Sequence, residues 1–301
     1  MKKRTFWITL VSCLVLGGII FASSLYKDVS ATIETIQVPE IRKVSKLRET
    51  KVELVEKEPF SLLLLGVDER ENDAGRSDTI IVLTVNPSTN SMKMLSIPRD
   101  TYTEIIGKNK TDKINHAYAF GGIEMSLHSV ENLLNIPIDY VVKVNMESFL
   151  EIVDIVGGVT VENTNAFEVS GYMFNEGSIH LNGEQALDFV RMRMDDPQGD
   201  FGRQVRQKQV LQAVLKEGAS INSLLNYKEL LGIFERDIRT NMTLDQMIDI
   251  QKGYKNALGQ IDTISFEKGE GKRMEGIWYY VMDDEELLAV TADLKQHLEL
   301  E

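Results

Sequence analysis

Cysteine is nearly absent from this 301-residue chain. Cys13 stands alone inside an apolar N-terminal run, so the rest of the sequence has no intrachain disulfide, cysteine nucleophile or cysteine-ligated metal. Histidine is almost as scarce: His116, His128, His180 and His297 show none of the paired spacing of a metalloprotease helix, and each reads as a structural or surface residue. Prolines number only six, and no internal repeat or low-complexity segment is present, which excludes collagenous and disordered classes. Positive charge is also in short supply, 33 Lys+Arg against 46 Asp+Glu. A phosphate backbone demands an extended basic surface, so the net charge of −13 excludes a general nucleic-acid binder while leaving room for a local basic pocket. The 43% hydrophobic content is enough to bury the core of one large domain or two small ones.

The chain opens with MKKRT and then runs without charge from Phe6 to Tyr26, about the length of a bilayer-spanning helix. Lys2, Lys3 and Arg4 would keep residues 1–5 in the cytoplasm and place everything after the 6–26 anchor outside. Ala22 and Ser24 also suit a cleaved signal peptide, but the run exceeds the usual signal-peptide core; either way the following domain is exported. Residues 27–58 are charged with scattered Val and Ile and read as an extracytoplasmic stalk or marginal strand outside the core. The globular domain is expected over 59–301.

SLLLLG at 61–66 is a short apolar run closed by glycine, DTIIVLTVNP at 78–87 is rich in β-branched residues, and KMLSIP follows the turn sequence NPSTNS; these predict three buried strands. If the second and third form a hairpin and the first runs antiparallel to the second, three chain ends share one sheet edge. They bring Asp68 with Arg70, Arg76 with Asp78, and Arg99 with Asp100 to a common rim. Singly, each is an ordinary solvated loop charge.

A second concentration of arginine needs a local explanation in so acidic a chain. In FVRMRM, Val190, Met192 and Met194 alternate with Arg191 and Arg193, which predicts an extended segment turning both guanidiniums to one face. Planar forks in pairs suit phosphate. GRQVRQKQVLQAVLKEG then predicts a helix with Arg203, Arg206 and Gln207 on one face near an anion-favouring N-terminus. Asp200 reads equally as the cap of this helix or as a catalytic carboxylate. Elsewhere, helices are expected at 121–134, 146–158, 244–258 and from Asp284, a short helix in LNGEQALDFV, and strands at 138–145, VTVEN and 277–281. Alternating elements indicate an α/β domain with helices on both faces of a mixed sheet.

GVDER, AGRSDTIIVLTV, SIPRDTY, KINHAYAFGG, GGVTV, LNGEQALDFVRMR and GDFGRQVRQKQVL, in this order, resemble the LytR-CpsA-Psr family of Gram-positive cell-wall proteins from about Ser61 to Leu215. The resemblance implies a three-layer α/β/α sandwich around a mixed sheet, one N-terminal transmembrane helix, and a core that also holds a lipid tail. It implies transfer of an anionic glycopolymer, above all wall teichoic acid, from a polyprenyl pyrophosphate carrier to peptidoglycan at the outer face of the membrane, with no nucleic-acid partner. Carried over by position, the metal ligands fall on Asp68 and Asp78, and the pyrophosphate-binding residues on Arg76, Arg99, Arg191, Arg193, Arg203 and Gln207.

The residue chemistry suits that function independently. Magnesium takes oxygen ligands, often only one or two carboxylates, and arginines hold the remaining phosphate oxygens. Asp78, Arg99 and Asp200 form the expected catalytic set, with Asp200 or Asp78 as the candidate base. A phosphohydrolase would use the same rim with water as nucleophile. A non-enzymatic lipid-binding or regulatory membrane protein would need an apolar pocket but not the two aspartates.

Overall fold

The structure is a computed structural model that describes residues 22–38, 41, 44–69, 75–192, 196, 199–217, 226–257 and 261–300. Most of the expected anchor, together with Arg70, Arg193 and the side chain of Asp200, lies outside these residues. Among the described residues no helix is long and apolar enough to cross a membrane.

A helix over 22–36 (α1) leads to a single turn of 3-10 helix at Leu54–Glu56 and then to β1 (Phe60–Val67), β2 (Ser77–Asn86) and β3 (Ser91–Ser96). The hairpin β4 (Tyr102–Ile105) and β5 (Lys110–Lys113) precedes α2 (His116–Leu134), β6 (Tyr140–Asn145) and α3 (Met146–Ile155). Next come β7 (Val159–Asn163), β8 (Phe167–Val169), β9 (Tyr172–Phe174), β10 (Gly177–Leu181), α4 (Gly183–Arg191) and α5 (Asp200–Glu217). The chain continues with α6 (Tyr227–Asp237), β11 (Ile238–Thr240), α7 (Leu244–Gly253), β12 (Ile261–Ile264), β13 (Glu270–Met274), β14 (Ile277–Val281) and α8 (Asp284–His297).

The central sheet runs β11-β6-β1-β2-β3-β12 and is mixed: β1 pairs antiparallel with β2 and parallel with β6, while β12 pairs parallel with β3. The expected β1–β2–β3 meander is present, with Leu63 opposite Val82 and Val82 opposite Leu95. Strand alternation divides the core. Leu63, Leu65, Val67, Ile80 and Val82 pack with Leu127, Val130 and Leu134 of α2 and Leu294 of α8. Phe60, Val85, Met92 and Tyr140 pack instead with Tyr254 and, at the edge, Met247 and Ile250 of α7. A further cluster joins α3, α4 and α5 to β7 through β10, with Phe167 stacked on Phe174 and Phe189.

Three expectations change. The 27–58 segment is not outside the core: Ile33, Ile36, Ile41, Val52 and Leu54 are buried, and Gln37 bridges Thr240 at the edge strand β11. The first half of FVRMRM is helical where an extended segment is expected, and Arg193 and Met194 lie outside the described residues. Phe189, Val190 and Arg191 end α4, which starts with a reciprocal capping box between Asn182 and Gln185. The helix predicted at 121–134 begins earlier, at His116, and is interrupted at Gly121 and Gly122, where a φ of +62° at Gly122 suits only glycine without strain.

Candidate active site

The rim anticipated from the meander exists. Asp68 follows β1, Arg76 precedes β2, Asp78 is its second residue, and Arg99 and Asp100 follow β3. All five line one cleft of about 330 Å³ together with Gly75, Lys113 and Asn115. The return from β1 to β2 is closed by a 3.3 Å bond from the Asp68 N–H to the Arg76 carbonyl. Gly75 permits that closure, because at its φ of +70° a Cβ would lie 2.4 Å from the Asp68 carbonyl oxygen.

Within the cleft, Asp78 Oδ1 accepts from Arg99 at 3.0 Å and from Asn115 Nδ2 at 3.4 Å, while Lys113 Nζ lies 2.7 Å from Asp100 Oδ1. Beside it runs a second groove of about 290 Å³, lined by Asp68, Asp78, Thr79, Arg99, Met146, Val190, Arg191, Arg203 and Gln207. The two share Asp68, Asp78 and Arg99. Together they present five cations (Arg76, Arg99, Lys113, Arg191, Arg203) against three carboxylates, an excess of positive charge inside a chain of net charge −13. Such a site concentrates anions.

Behind the groove lies an apolar pocket of about 80 Å³ formed by Leu64, Gly66, Ile81, Val144, Phe149 and Leu211. Thr79, Met146, Val190 and Gln207 line both, so the polar groove opens directly onto hydrocarbon surface. Strand alternation explains this: Leu64, Gly66 and Ile81 point to the face opposite Leu63, Leu65 and Ile80.

The structure therefore brings together Asp68, Arg76, Asp78, Arg99, Arg191, Arg203 and Gln207 of the expected set. Asp200 is the first residue of α5. Arg206 differs from the expectation. It is buried, forms an ion pair with Asp196, and donates to the Phe189 carbonyl at 2.8 Å and to the Met192 carbonyl at 2.5 Å. These carbonyls belong to the end of α4 and its cap, where helix geometry leaves acceptors without intrahelical partners. Arg206 thus fixes the end of α4, and with it Arg191.

Lys113, Asn115, Thr79 and Met146 were not assigned from sequence, although Lys113 and Asn115 lie in the KINHAYAFGG motif. For a cation, the relevant observation is Asn115 Oδ1, a buried oxygen without a hydrogen-bond partner among the described residues. Among those residues no cluster of three or more His, Cys, Asp or Glu is placed to hold a metal. Two carboxylates plus an amide oxygen nevertheless fit a hard ion that keeps much of its water, such as magnesium.

Asp112 stabilises the neighbouring hairpin. Burial alone would raise its pKa, but hydrogen bonds from Lys110, His116 and the Lys113 N–H outweigh that and hold it at about 2. Because its folded pKa is depressed, its contribution is present above the ordinary carboxylate value and is lost as pH falls through about 2. Allowing for the exposure of Lys110, Asp112→Asn is expected to cost about 1–2 kcal/mol at neutral pH. It should also flatten the stability loss between about pH 4 and pH 2, as measured by thermal unfolding across pH.

The chain is similar over most of its length to proteins of known structure or name. A polyisoprenyl-teichoic acid–peptidoglycan teichoic acid transferase TagU of Bacillus mycoides is 49% identical over 300 residues, 99% of each chain. The crystal structure of B. subtilis TagU superposes with a TM-score of 0.66 at 48% identity, covering 81% of this chain and 99% of that one. A structure of TagT bound to LI-WTA gives a TM-score of 0.71 at 29% identity, covering 86% and 98%. The model of the LytR_cpsA_psr family matches residues 22–296, and the chain belongs to that family.

Proposed function

We propose that this chain is a transferase that moves a teichoic acid from a polyisoprenyl pyrophosphate carrier to a peptidoglycan hydroxyl. The observation that carries the proposal is the continuity of the groove, from apolar pocket through guanidiniums to paired carboxylates. An isoprenyl chain, a diphosphate and a sugar hydroxyl present those three chemistries in that order. The names of the full-length relatives support the same activity.

In this reaction the acceptor hydroxyl attacks the phosphorus that bears the polymer. A new P–O bond forms, the bond from that phosphorus to the bridging oxygen breaks, and polyisoprenyl phosphate departs with the bond's electron pair. Arg99, Arg191 and Arg203 face the groove where charge accumulates, and Arg76 approaches from the cleft. Arg193, outside the described residues, is assigned to the same diphosphate. The acceptor's proton passes to a carboxylate, for which Asp78 and Asp200 are the candidates. Asp78 is already charge-paired with Arg99. Magnesium would be held by Asp68 and Asp78 with Asn115 Oδ1, and when bound it supplies neutralisation of diphosphate charge. The same proposal includes the three-layer α/β/α arrangement, a 6–26 anchor with Lys2, Lys3 and Arg4 inside, and a domain working on the extracytoplasmic face of the membrane.

The test is to supply the full-length chain with magnesium, polyisoprenyl-pyrophosphate-linked teichoic acid labelled in the polymer, and peptidoglycan. Label is expected in sedimented peptidoglycan, with equimolar polyisoprenyl phosphate released. Release of free phosphorylated polymer at the same rate with and without peptidoglycan would make the chain a phosphohydrolase. Stable carrier binding with no turnover would make it a lipid-binding protein.

A further inference from the structure

We propose that the outer face of the β4–β5 hairpin, centred on Tyr102, is the saccharide subsite that seats the acceptor glycan strand beside the transferred phosphorus. The inference rests on the transferase assignment and adds where the acceptor lies. Tyr102 is 39% exposed and pairs in register with Lys113, so the two side chains share one face of the hairpin. The buried ring of Tyr279 supports Tyr102 edge-to-face at 5.0 Å, and Lys113 Nζ sits 5.8 Å from the Tyr279 centroid. Ile277, two residues before Tyr279 and therefore on the same face of β14, is 48% exposed.

This surface is attached to the catalytic cleft. Lys113 and Asp100 both line the cleft and are 2.7 Å apart, while the Tyr280 N–H donates to the Asp100 carbonyl at 2.9 Å and Thr101 bridges Tyr280. Strand β14 and its tyrosines are thereby fixed to the cleft wall. Single exposed apolar residues are ordinary on protein surfaces. Here an exposed ring is propped by a second ring and bordered by an ammonium and a carboxylate. That combination matches a pyranose, whose C–H face stacks on an aromatic ring while its hydroxyl and acetamido groups meet polar neighbours.

Reaction geometry selects the acceptor over the donor polymer. Attacking and leaving oxygens lie roughly in line across the phosphorus. The leaving polyisoprenyl phosphate points toward the apolar pocket behind Thr79, Met146, Val190 and Gln207. The attacking oxygen must therefore enter from the opposite end, where Asp100, Lys113 and Asn115 close the cleft and Tyr102 begins. The donor's polymer departs sideways from that axis and does not compete for the same face.

Equilibrium binding to the full-length chain in detergent tests this with two probes, a soluble N-acetylglucosamine–N-acetylmuramic acid tetrasaccharide and farnesyl pyrophosphate. Tyr102→Ala is expected to weaken the tetrasaccharide roughly ten-fold, the scale of one ring-stacking contact, and to leave farnesyl pyrophosphate unchanged. Tyr102→Phe and Tyr102→Trp, which keep the ring, should bind like the wild type, which separates stacking from a folding defect. In transfer assays Tyr102→Ala should raise the KM for peptidoglycan and not the KM for the lipid-linked donor. The subsite is overturned if the wild type does not bind the tetrasaccharide, if Tyr102→Ala binds it unchanged, or if the variant loses both probes equally. A wild type that binds the tetrasaccharide but not farnesyl pyrophosphate would retain the subsite and reject the transferase assignment instead.

Discussion

Asp78→Asn is expected to slow polymer transfer about 10³-fold while leaving the unfolding temperature close to that of the wild type. Asp78 touches both halves of the site: it lines the cleft and the arginine groove, and its Oδ1 lies 3.0 Å from an Arg99 nitrogen and 3.4 Å from Asn115 Nδ2. An amide of the same shape keeps the packing but loses the charge that orients Arg99 and one of the two carboxylates proposed to hold magnesium. The side chain is 32% exposed, so loss of its charge should disturb folding little. Two effects should appear together: a lower single-turnover rate at saturating donor, and a higher magnesium concentration for half-maximal activity. A variant within about three-fold of the wild type, with unaltered magnesium dependence, would remove Asp78 from the site; the lower bound reflects the ~10²-fold loss typical of a single electrostatic group.

The meander could be read because its signals agree at every level. Continuous apolar runs, β-branched residues and the NPSTNS turn all indicate β1, β2 and β3, and once the order is antiparallel the meeting of Asp68, Arg76, Asp78 and Arg99 follows from topology alone. FVRMRM is the contrary case. Alternation over six residues is short enough to match both periods: Val190 lies one helical turn after Ala186, and both are buried against α3 and α5. The capping box at Asn182 and Gln185 was the stronger signal, and it carries the helix as far as Arg191.

Arg206 departs from its expected place for a different reason. Spacing put it on the face of Arg203 and Gln207, yet its guanidinium satisfies carbonyls of Phe189 and Met192, acceptors whose positions exist only after α4 and α5 have packed. The buried role of Ile33, Ile36 and Ile41 was equally hidden, since isolated apolar residues in a charged segment show no periodicity until α1 and the following chain lie against the domain. Asn115 lies in the KINHAYAFGG motif, but nothing local marks its side chain as an oxygen ligand. Its proposed role as an oxygen donor depends on being buried beside Asp78, thirty-seven residues away.

Leu64→Trp should separate the lipid end of the site from the phosphate end. Leu64 sits in the middle of β1, opposite Ile81 and Val142, with its side chain on the wall of the apolar pocket. That pocket, about 80 Å³, accommodates only the first part of an isoprenyl chain, and an indole would occupy it. Each methylene kept in water forfeits about 0.8 kcal/mol, so excluding two or three costs about 2 kcal/mol, or roughly thirty-fold in affinity for the polyisoprenyl-linked donor. Inorganic pyrophosphate, which has no tail, should compete as well against the variant as against the wild type. Overpacking costs about 1–3 kcal/mol of stability, which is why the comparison must be between two ligands on one folded variant. A general distortion of the groove would weaken both ligands together, because Thr79, Met146, Val190 and Gln207 serve pocket and groove alike. Loss of donor affinity with pyrophosphate affinity intact would therefore place the isoprenyl chain behind those residues and fix the direction of the reaction axis. An equal loss of both would leave the pocket as core and remove the basis for assigning an acceptor end.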